Sequence, residues 1–149
     1  MKIFSELLQK LSSNQKSNVN IHDFESFDDL VLGTCILLIE VSKADDSFDE
    51  VEKDKIEDIL KKNFSLESDQ TKILIKLADE KNQEMISLYE WTSEMNENYS
   101  YSEKVNVIKV LWDVAYADGH IDKYEDYTIR KISELLYVKH QDFIKAKLR

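Results

Sequence analysis

Apolar residues recur at intervals of three and four along most of this chain, the spacing of one face of an α-helix. No segment shows a convincing alternation of apolar and polar residues, so the sequence predicts no β-strand. The sequence therefore predicts an all-α helical bundle of about seven to eight helices. We expect helices over 27–44, 50–63 and 123–137, one opening at Ser65, one after each of the capping pairs Ser87–Glu90 and Ser100–Glu103, and a short last helix around HQDFIKAKL.

The first 22 residues form a separate unit in this pattern. Ile3, Phe4, Leu7, Leu8 and Leu11 fall on one helical face, and the polar segment SSNQKSNVN that follows has no periodicity. We expect a short amphipathic helix and a flexible linker over 1–22, ahead of one helical domain over 23–149. Three contacts stay open for this helix: docking on the domain, a protein partner, or peripheral contact with a membrane surface.

One acidic pattern occurs twice, at a fixed offset (118 − 45 = 73). The run EVSKADDSFDEVEKDKIEDIL in the first half matches DVAYADGHIDKYEDYTIRKIS in the second. Apolar positions keep the same offset, as Ile56 and Ile129 do. The chain is therefore predicted to be duplicated over about 37–66 and 110–139, and each copy to form a helical hairpin with an acidic turn between its helices. The two hairpins would be related by a pseudo-twofold axis.

The composition agrees with a helical domain and limits the classes of partner that the chain would bind. The 149 residues include no proline and two glycines, and 42% of them are hydrophobic. The net charge of −10 argues against nucleic acid, which is bound by clustered lysine and arginine, and it suits cations or a basic partner surface. The single cysteine, Cys35, excludes an internal disulfide and is interpreted as a buried small side chain. Neither a signal peptide nor a transmembrane segment is recognised, so we expect a cytoplasmic protein.

Helix capping explains part of each acidic turn. Asp49 and Asp122 stand where an N-cap residue accepts hydrogen bonds from the first turn of the next helix. Glu52 and Glu125 follow three residues later, as the reciprocal partners of a capping box. In this interpretation the four carboxylates serve folding alone.

Cation binding is the second interpretation of the same turns. Asp45 and Asp118 lie at helix C-termini, where the helix dipole disfavours a carboxylate, and Glu40 and Asp113 lie upstream of them. Such oxygen ligands suit calcium or magnesium rather than zinc, although neither turn has the glycine and glutamate positions of an EF-hand. Together with these upstream residues, each turn would gather three or four oxygen ligands.

These residues carry a family resemblance. The segments LLIEVSKADDSFDEVEKDKIEDIL, SLYEWTSEMNE and VLWDVAYADGHIDKYEDYTIRKISELLYVKHQDFIKAKLR resemble the TerB-like tellurite-resistance family, in particular its small stand-alone bacterial members. The resemblance extends from about Asp28 to Arg149. Its most specific element is the duplicated pattern Ala-Asp-x-x-apolar-Asp-x-x-Glu. Asp46 departs from that duplication, because the second copy has Gly119 there, so two equivalent sites are not assured.

The resemblance implies a fold and a general role. It implies an all-α fold with two hairpins, and a part in stress responses that involve tellurite, alongside membrane-associated and metal-binding proteins. It also implies a metal-related role for six carboxylates, which are the candidate metal ligands: Asp45, Asp49, Glu52, Asp118, Asp122 and Glu125. A related domain in a membrane-anchored J-domain co-chaperone favours a role in protein interaction.

Aromatic residues distinguish the two hairpins. Trp112, Tyr116, Tyr124 and Tyr127 stand in the second hairpin where the first has Ile39, Lys43, Val51 and Asp54. Trp112 and Tyr116 share a helical face, and so do Tyr124 and Tyr127, which suits either an interface or the filling of a core. The sequence thus indicates that the two halves differ in function.

No chemistry of catalysis is recognised in the sequence. His22, His120 and His140 are widely spaced, and the chain lacks a glycine-rich phosphate loop and a nucleophile elbow. The leading hypothesis is a non-catalytic, stress-related interaction domain with a protein partner and an acidic surface that binds a divalent cation. The alternative is a structural or dimerising helical domain, a homodimer included, whose acidic turns only cap helices.

Overall fold

The fold is seen in a computed structural model that describes residues 29–45, 50–84, 87–117 and 122–148. Within these ranges the chain forms α-helices and one short 3₁₀ helix and no strand, which confirms the predicted all-α class. The helices are α1 (Asp29–Ser42), a 3₁₀ helix (Lys43–Asp45), α2 (Glu50–Phe64), α3 (Ser68–Glu84), α4 (Leu88–Asn98), α5 (Tyr101–Tyr116), α6 (Lys123–Leu135) and α7 (His140–Leu148). The amphipathic helix and linker predicted for 1–22, and the domain start predicted at residue 23, lie outside these ranges.

Two central helices, α1 and α5, organise the bundle. Every residue of α1 from Val31 to Ile39 is buried, as its nearly continuous apolar sequence requires. Helix α5 packs against it and is buried on several sides, with Ile108, Leu111 and Trp112 fully enclosed. Each central helix therefore needs other helices around it. Helices α2, α3 and α6 contact α1, and α2, α6 and α7 contact α5.

The duplication seen in the sequence is present in the fold. Helix α2 begins at Glu50 and α6 at Lys123, at the offset of the sequence repeat (123 − 50 = 73). Each of these second helices contacts the central helix of its own copy and that of the other copy. This exchange of contacts is the pattern expected of two hairpins related by a pseudo-twofold axis.

The repeat also extends beyond the hairpins, to a third helix in each copy. Helices α2 and α6 are each followed by a residue with a positive φ, Ser65 at 54° and Tyr137 at 58°. The offset here is one residue shorter (137 − 65 = 72), and α3 and α7 begin at the same shortened offset (140 − 68 = 72). Each copy is thus a unit of three helices, and α4 connects the two units.

One predicted helix start was wrong. Ser65 does not open α3; it ends α2. Its N–H donates to the Lys61 carbonyl oxygen at 3.1 Å, and its left-handed backbone then turns the chain out of the helix. Helix α3 begins at Ser68. The Gln70 side chain reaches back to the Glu67 N–H at 3.0 Å, so this helix start carries half of a capping box.

Other predicted features are confirmed. Ser87 caps α4, and Ser100 and Glu103 form a complete capping box at the start of α5. Cys35 is fully buried, and burial raises the pKa of its thiol, with a further contribution from the nearby Asp79 carboxylate. Cys35 is therefore a core side chain rather than a reactive thiol.

Candidate functional site

The structure describes part of the predicted acidic site. Glu52, Asp122 and Glu125 are described with their side chains, and Asp45 is described only as the last backbone position of the 3₁₀ helix. Asp49 and Asp118 lie outside the described residues. Among the residues described with side chains, no group of three or more His, Cys, Asp or Glu side chains has an arrangement that would hold a metal ion. The three candidates described with side chains, Glu52, Asp122 and Glu125, are thus not part of such a group among the described residues.

Asp122 is a helix cap, as its position predicted. Its backbone is extended, with φ −73° and ψ 141°, and its Oδ1 accepts a hydrogen bond from the Tyr124 N–H at 2.7 Å. The bond satisfies one of the N–H groups that the first turn of α6 leaves without an intrahelical partner. A carboxylate here is also stabilised by the positive end of the helix dipole.

Glu52 and Glu125 lie at equivalent places in the first turns of α2 and α6. Glu52 is largely buried, and its Oε1 lies 3.6 Å from Lys55 Nζ. Glu125 is buried as well, with 7% of its surface exposed. Both carboxylates therefore lie against the protein rather than in open solvent, which suits a role in fixing the helix starts.

The carboxylate upstream of the first turn, Glu40, belongs to a network of polar side chains between α1 and α3. Glu40 Oε2 accepts from Asn82 Nδ2 at 2.7 Å, and Lys43 Nζ donates to Asn82 Oδ1 at 3.1 Å. The same ammonium lies 2.9 Å from Asp79 Oδ1. Lys43 thus supplies a positive charge between α1 and α3, and the Glu40 carboxylate has a hydrogen-bond donor within this network.

In the second copy a different contact fixes the end of the central helix α5. Tyr116 is the repeat equivalent of Lys43, and its hydroxyl donates to the Lys147 carbonyl oxygen on α7 at 2.5 Å. In both copies the third helix therefore fixes the end of the central helix. Sequence reasoning missed Asp79, Asn82 and Lys147, because none of them belongs to the repeated motif.

The aromatic residues of the second copy divide into two groups. Trp112 is fully buried, with ring centroids 5.9 Å from Tyr116 and 5.6 Å from Phe143, so this pair fills the core beneath α7. Tyr124 and Tyr127 are 53% and 65% exposed on the outward face of α6. Only the second pair is available to a partner.

The surface also holds a groove between α2 and α3, with a volume of about 420 Å³. Its lining is mainly charged and includes Asp54 and Glu57 on one side and Lys72 and Lys76 on the other. Small-molecule sites are usually apolar with a few polar groups, and this groove lacks that lining.

A comparison with protein families decides the classification. The family model described as tellurite resistance protein TerB matches residues 32–148, most of the chain and nearly all of the described fold. The chain belongs to the TerB family. Comparisons with curated proteins and with solved structures found no match.

This TerB-family chain has no helix, within its described residues, that is long and apolar enough to cross a bilayer. The matched region begins at Leu32 inside α1 and ends at Leu148, the last residue of α7. Both three-helix units and the connecting α4 are therefore part of the family domain.

The capping role of Asp122 makes a testable distinction. Asp122→Ala should lower the free energy of unfolding by about 1 kcal/mol, because the Tyr124 N–H loses its acceptor, whereas Asp122→Asn should cost only a few tenths of a kcal/mol. Urea unfolding followed by circular dichroism measures both changes. If asparagine costs as much as alanine, the carboxylate is needed for its charge and capping does not explain it.

Proposed function

We propose that this chain is a non-catalytic interaction domain of the TerB family that serves in the response to tellurite stress. One observation carries the interaction part of the proposal: Tyr124 and Tyr127 are exposed on α6, whereas the buried isoleucines of that helix match those of its counterpart α2. Exposed tyrosines are typical of protein interfaces, because each offers a large rigid ring with a polar tip. The link to tellurite rests on the family description.

The core of the domain does not require these two tyrosines. Their positions correspond to Val51 and Asp54 in the first copy, and both of those are exposed as well. The buried residues Ile129 and Ile132 of α6 match Ile56 and Ile59 of α2. An aromatic surface that the fold does not need is best explained by a partner.

We propose a survival experiment to test this role. In a host strain that lacks its own copy of the gene, Tyr127→Ser should reduce the tellurite protection given by the wild-type chain, because loss of an interface tyrosine typically weakens binding about tenfold or more. Tyr89→Ser is the matched control, since Tyr89 is also 65% exposed but lies on α4. Urea unfolding and immunoblotting would establish equal stability and abundance of the two variants.

Two results would contradict the proposal. Equal protection by the Tyr127→Ser and Tyr89→Ser variants would show that the tyrosine surface of α6 takes no part in the interaction. If deletion of the gene leaves survival of the host in tellurite unchanged, the chain has no role in the response to tellurite stress.

Binding of a divalent cation at the acidic turns is a second, separable part of the proposal, supported by the sequence pattern. If Asp45 and Asp118 are ligands, the double variant Asp45→Asn/Asp118→Asn should lose calcium or magnesium binding while its stability changes by less than about 0.5 kcal/mol, because asparagine keeps the hydrogen-bonding capacity of aspartate. Calorimetric titration of the wild type and the variant with each ion measures this. Heats that do not saturate for either protein would show that the turns do not bind the ion specifically. Helix capping would then be the role of the acidic turns.

A further inference from the structure

The outward faces of α2 and α6 carry matching stripes of side chains. Four positions on each helix follow the spacing three, four, three, and they lie on the side opposite the buried residues. The α2 stripe consists of Val51, Asp54, Asp58 and Lys61. The α6 stripe consists of Tyr124, Tyr127, Lys131 and Glu134. Each member of one stripe is the repeat equivalent of the member in the same place on the other.

The two stripes have opposite charges at equivalent positions. Asp58 in the α2 stripe corresponds to Lys131 in the α6 stripe, and Lys61 corresponds to Glu134. The buried isoleucines of the same helices are conserved between the copies, Ile56 as Ile129 and Ile59 as Ile132, whereas buried Leu60 corresponds to Ser133. The fold does not impose the reversal at these two pairs, because Asp58, Lys131 and Glu134 are exposed.

Most of these side chains are unused inside the domain. Lys61 pairs with Glu57 at 3.1 Å within α2, and the ring of Tyr124 lies 5.1 Å from Lys123 Nζ. The other polar members have no ion pair or side-chain hydrogen bond with any residue that the structure describes: Asp54, Asp58, Tyr127, Lys131 and Glu134. Their charges and hydroxyl are free for a partner.

We propose that the chain self-associates head to tail, with the α2 stripe of one copy packed in parallel on the α6 stripe of a second copy. This inference deepens the proposed function and rests on it, since it names a second copy as a partner of the tyrosine surface. In register, the arrangement places Asp58 against Lys131 and Lys61 against Glu134. It also places Asp54 beside the Tyr127 hydroxyl and Val51 against the Tyr124 ring, giving Asp54 a donor and Val51 an apolar cover.

In a parallel register, pairing of unlike stripes is favoured over pairing of like stripes. In the same parallel register, two α2 stripes would place Asp58 against Asp58, and two α6 stripes would place Lys131 against Lys131. Like charges opposed across an interface are costly, and a chain with a net charge of −10 already repels its copies. The local charge of α6 is balanced, with three basic and three acidic residues, so this helix adds no net repulsion.

The contact is small, so we expect weak self-association. Four positions on each helix extend over about three helical turns, which falls in the class of transient interfaces. The contact is also heterologous, since the surface used on one copy differs from the surface used on the next. Association should therefore appear at protein concentrations of about 100 µM and above.

Sedimentation velocity over a range of protein concentration tests this arrangement. Wild-type chain should form dimers or larger species. Asp58→Lys and Lys131→Asp should each weaken self-association about tenfold or more, because each opposes like charges. An equimolar mixture of the two variants should associate again, since the lysine introduced at position 58 of one chain then faces the aspartate introduced at position 131 of the other. Glu97→Lys on α4 and Lys76→Asp on α3 make the same charge changes at exposed positions outside the stripes and should leave association unchanged.

Three results would overturn the self-association. They are a wild-type chain that stays monomeric throughout, a mixture that fails to recover, or loss in Lys131→Asp with no change in Asp58→Lys, which would mean that α6 pairs with itself. The proposed function fails separately. A monomeric wild type whose Tyr127→Ser variant still loses tellurite protection would exclude the second copy and keep the interaction domain. A self-associating chain whose Tyr127→Ser variant protects fully would keep the self-association and exclude the proposed role of the tyrosine surface in protection.

Discussion

The burial of α1 determines the rest of this structure. A helix that is apolar on nearly all sides cannot border solvent, and with α5 beside it three further sides must be covered. The chain achieves this by duplication, because α2 and α6 each cover both central helices while α3 and α7 cover one each. The positions that pack against the central helices are therefore more constrained in both copies than the outward faces are.

Much of the fold follows from local sequence. Helical spacing and the capping pairs at Ser87 and Ser100 predict helices that the structure confirms, since these signals act within a single turn. The third helix of each copy could not be recognised as part of the repeat. Its offset changes by one residue after α2, and Ser65 and Tyr137, which share a left-handed backbone, have no chemical similarity. A serine next to a helix is ambiguous, because it suits either end.

The candidate site could be predicted less well, for a chemical reason. The oxygen atoms that cap a helix are the same atoms that bind a cation, so the acidic turns alone do not separate the two roles. The structure assigns Asp122 to capping by its bond to the Tyr124 N–H. The network around Lys43 depends on α3, whose sequence carries no matching motif. Likewise, Trp112 and Tyr127 differ in burial only because their helices face different neighbours.

The central claim is that one molecule of the chain recognises a second through the outward faces of α2 and α6, where the two halves differ in charge, rather than through the shared core. Amide correlation spectra recorded as the protein is concentrated from about 20 µM to about 500 µM test it directly, because a transient contact shifts the amides it touches. The account predicts progressive shifts in the exposed positions of 51–61 and 124–134, with α3, α4 and α7 unchanged. Shifts confined to other helices, or spectra that do not change with concentration, would contradict it.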